Sequence, residues 1–99
     1  MARYFNITSE LTQQLLAAGE GVTVSKISFT NITELYPVKL DLYIEKNLFG
    51  KFYILKDHIF DGSFTHENIK FSNASSEFGL FIKLTKIGST TPSVDVIIN

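Results

Sequence analysis

Cysteine and tryptophan are absent from the 99 residues, and proline occurs only twice. Without cysteine there is no disulfide, no thiolate nucleophile and no cysteine-ligated zinc, so core packing has to supply the stability and the redox compartment is left open. No segment approaches the ~18 consecutive apolar residues with which a helix crosses a bilayer. The first residues hold one arginine without the apolar stretch of a signal peptide, so the chain is expected to be soluble when made, with no membrane partner. Charge of one sign is lacking too: 9 Lys and Arg face 10 Asp and Glu, a net charge of −1, and no basic run occurs. The footprint of a protein that tracks nucleic-acid phosphates is therefore missing, and nucleic acid is not an expected partner.

What the chain does contain is apolar and aromatic. With 44% hydrophobic residues, nine Phe and four Tyr, it is too hydrophobic and too weakly charged to stay disordered. A chain this short buries one core and has no room for two lobes with a cleft between them. The expected organisation is a single domain over residues 9–99, preceded by an arm or edge strand over residues 1–8.

A period of two dominates the hydrophobic pattern. In Val38-Lys39-Leu40-Asp41-Leu42-Tyr43-Ile44-Glu45 every even residue is apolar and most odd ones are charged, the signature of a half-buried strand. Pro37 precedes it where a missing N–H costs little. Turn residues from Lys46 to Gly50 then lead to Phe52-Tyr53-Ile54-Leu55, which predicts an antiparallel hairpin. Strands are also expected over 78–85 and 94–98. One core should collect Val38, Leu40, Leu42, Ile44, Leu80, Ile82, Leu84, Val94 and Val96.

The apolar positions of 22–31 switch from even to odd between Val24 and Ile27. One extra residue near Ser25-Lys26 restores the facing, as a β-bulge does when the halves of a strand serve different sheets. Between Asp57 and Asn73 the pattern is weaker, with a turn signal at Asp61-Gly62-Ser63 and extended segments around it. Residues 9–19 fit two readings. Leu11, Leu15 and Ala18 have helical spacing with Gly19 as a stop, yet Leu11, Gln13 and Leu15 also alternate with Thr12 and Gln14. Short strands punctuated by turns imply an all-β fold, an antiparallel two-sheet β-sandwich of about seven or eight strands.

Reactive constellations were sought and not found, so no cofactor, no catalytic residue and no metal ligand is assigned. His58 and His66 flank the Asp61-Gly62 turn with Asp57 and Glu67 nearby, but they lack a short ligand spacing and are better read as solvated loop histidines. There is no G-x-S-x-G elbow for a nucleophilic serine. Gly19-Glu20-Gly21 lacks the third glycine and the lysine of a phosphate loop and precedes a strand, so it reads as a turn. The acceptor triplets at Asn6, Asn31 and Asn73 are read as chance together with a strand-and-turn composition rich in Ser and Thr.

More informative are aromatics on the polar side of the alternation: Tyr43 between Asp41 and Glu45, Phe81 beside Lys83, and Tyr53. On an outer sheet face each either packs under a loop or meets another protein. Tyr4, Phe5 and Ile7 in the N-terminal arm have to pair with a sheet edge, their own or a neighbour's. These six residues form the candidate protein–protein interface. A competing use of Tyr43, Tyr53 or Phe81 is as a stacking platform for sugar rings in a carbohydrate-binding module, for receptor or host-surface glycans.

The segment from Leu11 to Asn31, with its Thr-containing strand, glycine turn and long strand ending in Thr30-Asn31, resembles the opening of small all-β accessory structural proteins of tailed-phage virions, of the marine and cyanobacterial phage type. The likeness extends over most of the chain, through Val38–Ile44, Phe52-Tyr53-Ile54-Leu55-Lys56 and the terminal Val94-Asp95-Val96-Ile97-Ile98. One departure stands out, because Asp57-His58-Ile59-Phe60-Asp61-Gly62 lacks the proline common in the corresponding loop of those proteins. The resemblance implies a non-enzymatic virion component made in the host cytoplasm, decorating the head or joining neck and tail parts. Its partners would be other virion proteins and copies of itself.

Overall fold

The computed structural model describes residues 3–10, 12–17, 19–20, 23–33, 36–46, 50–67, 71–72 and 78–99. Among these residues ten strands follow in chain order: β1 (Arg3–Ile7), β2 (Thr12–Leu16), β3 (Thr23–Val24), β4 (Ile27–Asn31), β5 (Val38–Lys46), β6 (Gly50–Phe60), β7 (Ser63–His66), β8 (Phe71–Ser72), β9 (Phe78–Lys86) and β10 (Val94–Ile98). They form two four-stranded sheets, here sheet A with order β1-β10-β4-β7 and sheet B with order β2-β9-β5-β6, plus the small pair β3-β8. All pairings are antiparallel. The fold is thus the antiparallel β-sandwich that the alternation implies, and among the described residues there is no helix.

The connectivity is nested. β5 pairs with β6, β4 with β7, β3 with β8, β2 with β9 and β1 with β10. A long hairpin folded over on itself in this way, with its layers divided between two four-stranded sheets, is a jelly roll. The even residues of β5 and β9 point between the sheets, where they meet the alternate residues of β4 and β10. Val38, Leu40, Leu42, Leu80, Ile82, Leu84, Val94 and Val96 are fully buried in one cluster with Phe29, Ile27 and Leu16, and Ile44 packs against its margin.

The parity switch at Ser25-Lys26 is the change of sheet. Val24 belongs to the β3-β8 pair and Ile27 to sheet A, and both are fully buried. The two intervening residues leave the ladder, and their N–H groups both donate to the Asn99 carbonyl. The helical reading of 9–19 is corrected, since Thr12–Leu16 is strand β2. A nine-residue helix is marginal without tertiary support, whereas β2 gains a ladder with β9. Its register shifts between Gln14 and Leu16, which leaves Leu15 and Leu16 both buried.

Residues 57–60 continue β6 to Phe60, opposite Val38, in keeping with the extended segments expected around the 61–63 turn and not with the loop that the phage resemblance places over 57–62. The turn at Asp61-Gly62 is as expected, with Gly62 at φ 82° and the Asp61 carboxylate accepting its N–H at 3.0 Å. Leu11, Ala18, Gly21, Val22, the turn at 47–49, residues 68–70 and Asn73 lie outside the described residues.

Candidate interaction surface

β5 lies between β9 and β6, and both registers are antiparallel, so residues opposite one another share a face. Tyr43 stands opposite Phe81 on one side and Tyr53 on the other. Gln14 of β2 extends the row as the partner of Phe81. The three rings make a stripe across the outer face of sheet B, Tyr43 stacked on Phe81 at 5.5 Å between centroids and tilted against Tyr53 at 5.4 Å. Lys51 holds its ammonium 4.9 Å from the Tyr43 centroid and Lys56 holds its own 4.4 Å from that of Tyr53, which adds cation–π attraction.

Covered by these neighbours, Tyr43 is only 4% exposed, although it points away from the core. The alternatives for these aromatics were loop cover or a partner protein, and the stripe shows a third arrangement, in which they cover one another. Tyr53 stays 43% exposed and Phe81 half-buried. Gly79 makes room for this packing, because a Cβ there would lie 3.1 Å from the Phe81 ring.

The outer face of sheet A differs. Ser28, Thr30, Ser63, Thr65, Tyr4, Asn6, Asp95 and Ile97 occupy the outward positions of its four strands, and only Asp95 among them is charged. Tyr4 is 72% exposed beside its cross-strand partner Ile97. Asn6 donates to the Asp95 carboxylate in the adjoining pair. Between these pairs runs a shallow open depression of about 390 Å³, lined by Tyr4, Phe5, Asn6, Asp95, Val96 and Ile97.

The arm expected over residues 1–8 holds β1, which pairs with β10 of its own sheet. Ile7 is buried, Phe5 is half-buried and packs against the core, and Tyr4 is the most exposed of the arm's three interface candidates. Arg3 donates to the Glu20 carboxylate at 2.9 Å, fastening β1 to the turn after β2. That bond, followed by the Ala17 N–H, holds the Glu20 carboxyl below its ordinary value.

The two histidines are on different sheets, His58 opposite Leu40 in sheet B and His66 opposite Ile27 in sheet A. His58 lies 4.7 Å from Phe64 and 6.3 Å from Phe60 in an aromatic cluster completed by Phe29, and is not in a loop. Among the described residues no three His, Asp or Glu side chains are gathered that could hold a metal ion.

Sequence reasoning missed Lys51, Lys56, Asp95 and Ile97 as surface determinants. For Ile97 the signal was an isoleucine in the outward row of β10. For the lysines it was their placement on either side of Tyr53.

No protein-family model matches the chain, and no curated protein matches it. Among solved structures it is similar to the Yersinia pseudotuberculosis-derived mitogen, with TM-score 0.56 and 15% identity over 100% of this chain and 83% of that one. Two structures from infectious bursal disease virus also align, that of the Gx strain (TM-score 0.44) and that of the VP2 subviral particle (TM-score 0.38). Each is 13% identical over 98% of this chain and 32% of the other, so the chain spans about a third of their length. At 15% identity the likeness to the mitogen shows the all-β fold alone.

Proposed function

We propose that this chain is a non-enzymatic structural component of a virion, of the tailed-phage type that its sequence resembles, acting through repeated protein–protein contacts. Head decoration or cement, and a neck or tail accessory, are the roles this reading covers. The observation that carries it is the placement of exposed apolar side chains on both broad faces, Tyr4 and Ile97 on sheet A and Tyr53 and Ile59 on sheet B. A subunit with contact surfaces on opposite sides is what repetitive assembly uses. Its partners are copies of itself and other virion proteins, without nucleic acid or membrane.

The rival reading is a carbohydrate-binding module, and jelly rolls do serve as lectin domains. It draws on the exposure of Tyr53 beside Phe81. Sugar stacking needs an open ring face, however, and here Tyr43 is buried while Lys56 lies over Tyr53.

Mass spectrometry of purified particles from the encoding virus tests the proposal. The chain is expected in many copies per particle, and its absence from mature particles would overturn the structural role. A glycan array separates the rival, which requires specific hits that disappear in Tyr53→Ala.

A further inference from the structure

A sugar stacks only on a ring whose face is open, and that requirement sorts the outward aromatic residues. Tyr43 is covered by Phe81 and Tyr53, Lys56 lies over Tyr53, and Phe78 meets Phe52 edge-on. Tyr4 differs from all of these. It is 72% exposed, and among the described residues neither a ring nor an ammonium engages it. Its cross-strand neighbour Ile97, 39% exposed, extends the apolar strip by one side chain.

Polar groups stand one step along the same pair of strands. Asn6 is opposite Asp95, and Thr30 of β4 is opposite Asp95 on the other side. The Asn6 amide uses one N–H on the Asp95 carboxylate. Its second N–H, its oxygen and the other carboxylate oxygen keep their hydrogen-bonding capacity, which sets a donor beside acceptors. That is the complement of adjacent sugar hydroxyls, each of which can donate and accept. Phe5 and Val96 pack their side chains on the core, so backbone floors the space between the Tyr4–Ile97 and Asn6–Asp95 pairs. The depression of about 390 Å³ falls at the lower end of the roughly 300–1,000 Å³ of small-molecule sites.

Charge narrows the ligand. Asp95 is the one charged side chain among the outward residues of the four strands of sheet A, and the neighbouring outward residues of β4 and β7 are Ser28, Thr30, Ser63 and Thr65. With no cation among them to face a phosphate, sulfate or carboxylate, nucleotides and acidic glycans do not fit. A wholly apolar ligand fails as well, because it would cover Asn6 and Asp95 without replacing their bonds to water. A ligand with an apolar C–H face for Tyr4 and a rim of hydroxyls for Asn6 and Asp95 satisfies both halves of the site.

We propose that this depression binds a neutral pyranose, free or at the end of a glycan, its ring stacked on Tyr4 beside Ile97 and two adjacent hydroxyls bonded to Asn6 and Asp95. The site is separate from the aromatic stripe of sheet B and stands without the virion reading. An open site of this size holds one ring with a dissociation constant of about 1–10 mM, and display in many copies raises the effective affinity.

An NMR titration of the isotope-labelled full chain with the methyl glycosides of glucose, galactose, mannose and N-acetylglucosamine, each to about 100 mM, tests for the free sugar. A glycan array tests for the glycan end. Binding is expected in at least one arm, with saturable shifts confined to the amides of residues 4–6 and 95–97. Tyr4→Ala and, separately, Asp95→Ala should weaken it by about tenfold or more, with thermal unfolding to verify that each variant is folded. Tyr53→Ala should leave it unchanged. Binding that survives Tyr4→Ala or is lost in Tyr53→Ala overturns the proposal, and so does the absence of both saturable shifts and array hits. Tetramethylammonium chloride serves as the probe for a cation site made by Asp95 and Tyr4. Saturation of the same amides at a lower concentration than any sugar requires also overturns the sugar assignment. Particle composition is measured separately, so a chain present in many copies per particle that binds no sugar refutes this site and leaves the virion role standing. A sugar-binding chain absent from particles does the reverse.

Discussion

The two outer faces of this sandwich rest on one core and use their aromatic residues in opposite ways. On sheet B, Tyr43, Phe81 and Tyr53 are drawn together by the pairing of β5 with both its neighbours, so that the middle ring is as buried as a core residue while facing outward. On sheet A, Tyr4 stands at an edge strand with one apolar cross-strand neighbour, Ile97, and remains open to water. An aromatic residue on an outer face is therefore not in itself a surface feature. Its position among paired strands decides whether it stabilises the monomer or is left for contact.

The comparison breaks altogether if the shared support is removed. Leu42→Ala leaves a cavity between the sheets beneath the stripe and is expected to cost about 2–5 kcal/mol. Denaturant unfolding measures this, and an unchanged midpoint would mean that the inner face is not as described. A sharper cut sets Tyr43→Ala against Tyr4→Ala. The first should lose about 3 kcal/mol, as a buried aromatic does, and the second less than about 0.5 kcal/mol, as an exposed one does. Equal losses would erase the distinction between the faces.

Next in size is Asp41→Ala. The Asp41 carboxylate accepts the Asp57 N–H at 2.7 Å and so fastens the irregular part of β6 beneath Lys56. Its loss should cost about 1 kcal/mol and raise amide exchange at Asp57, leaving Tyr4 and Ile97 undisturbed. The smallest effect concerns sheet A. Glu20 is held below its ordinary value of 4.5 by Arg3, so its contribution is present above that value and is lost as pH falls through the lower folded value. The difference between the native chain and Glu20→Gln should vanish on acidification, while amides of β1 begin to exchange faster. A difference that persists in strong acid would show that the tether is not ionic.

The legible parts of the fold are those where one sheet face is buried along an unbroken run. β5 and β9 could be read residue by residue because Val38 to Ile44 and Leu80 to Leu84 alternate without interruption. β2 could not, because five residues with a bulge at Leu15 carry too little periodicity to outweigh a helical spacing. At 57–60 the extended character was legible but the facing was not, because the irregularities of β6 break the alternation between Ile54 and Asp57. At the candidate surface, Tyr43, Tyr53 and Phe81 stood out as apolar residues in polar rows. Their mutual cover was hidden because it depends on register between strands distant in sequence.

The nested pairing orders events in time. β5 and β6 are joined by a short connection and can meet early, whereas β1 and β10 must close a loop that contains almost the whole chain. Closure entropy rises with loop length, so contacts of small separation form at lower cost and long-range pairings follow once they have support. The pair that closes last carries Tyr4, Ile97 and Asp95 together on its outward face. A partly folded chain displays the stripe of sheet B but not this surface of sheet A, so Tyr4, Ile97 and Asp95 come together only when folding is complete.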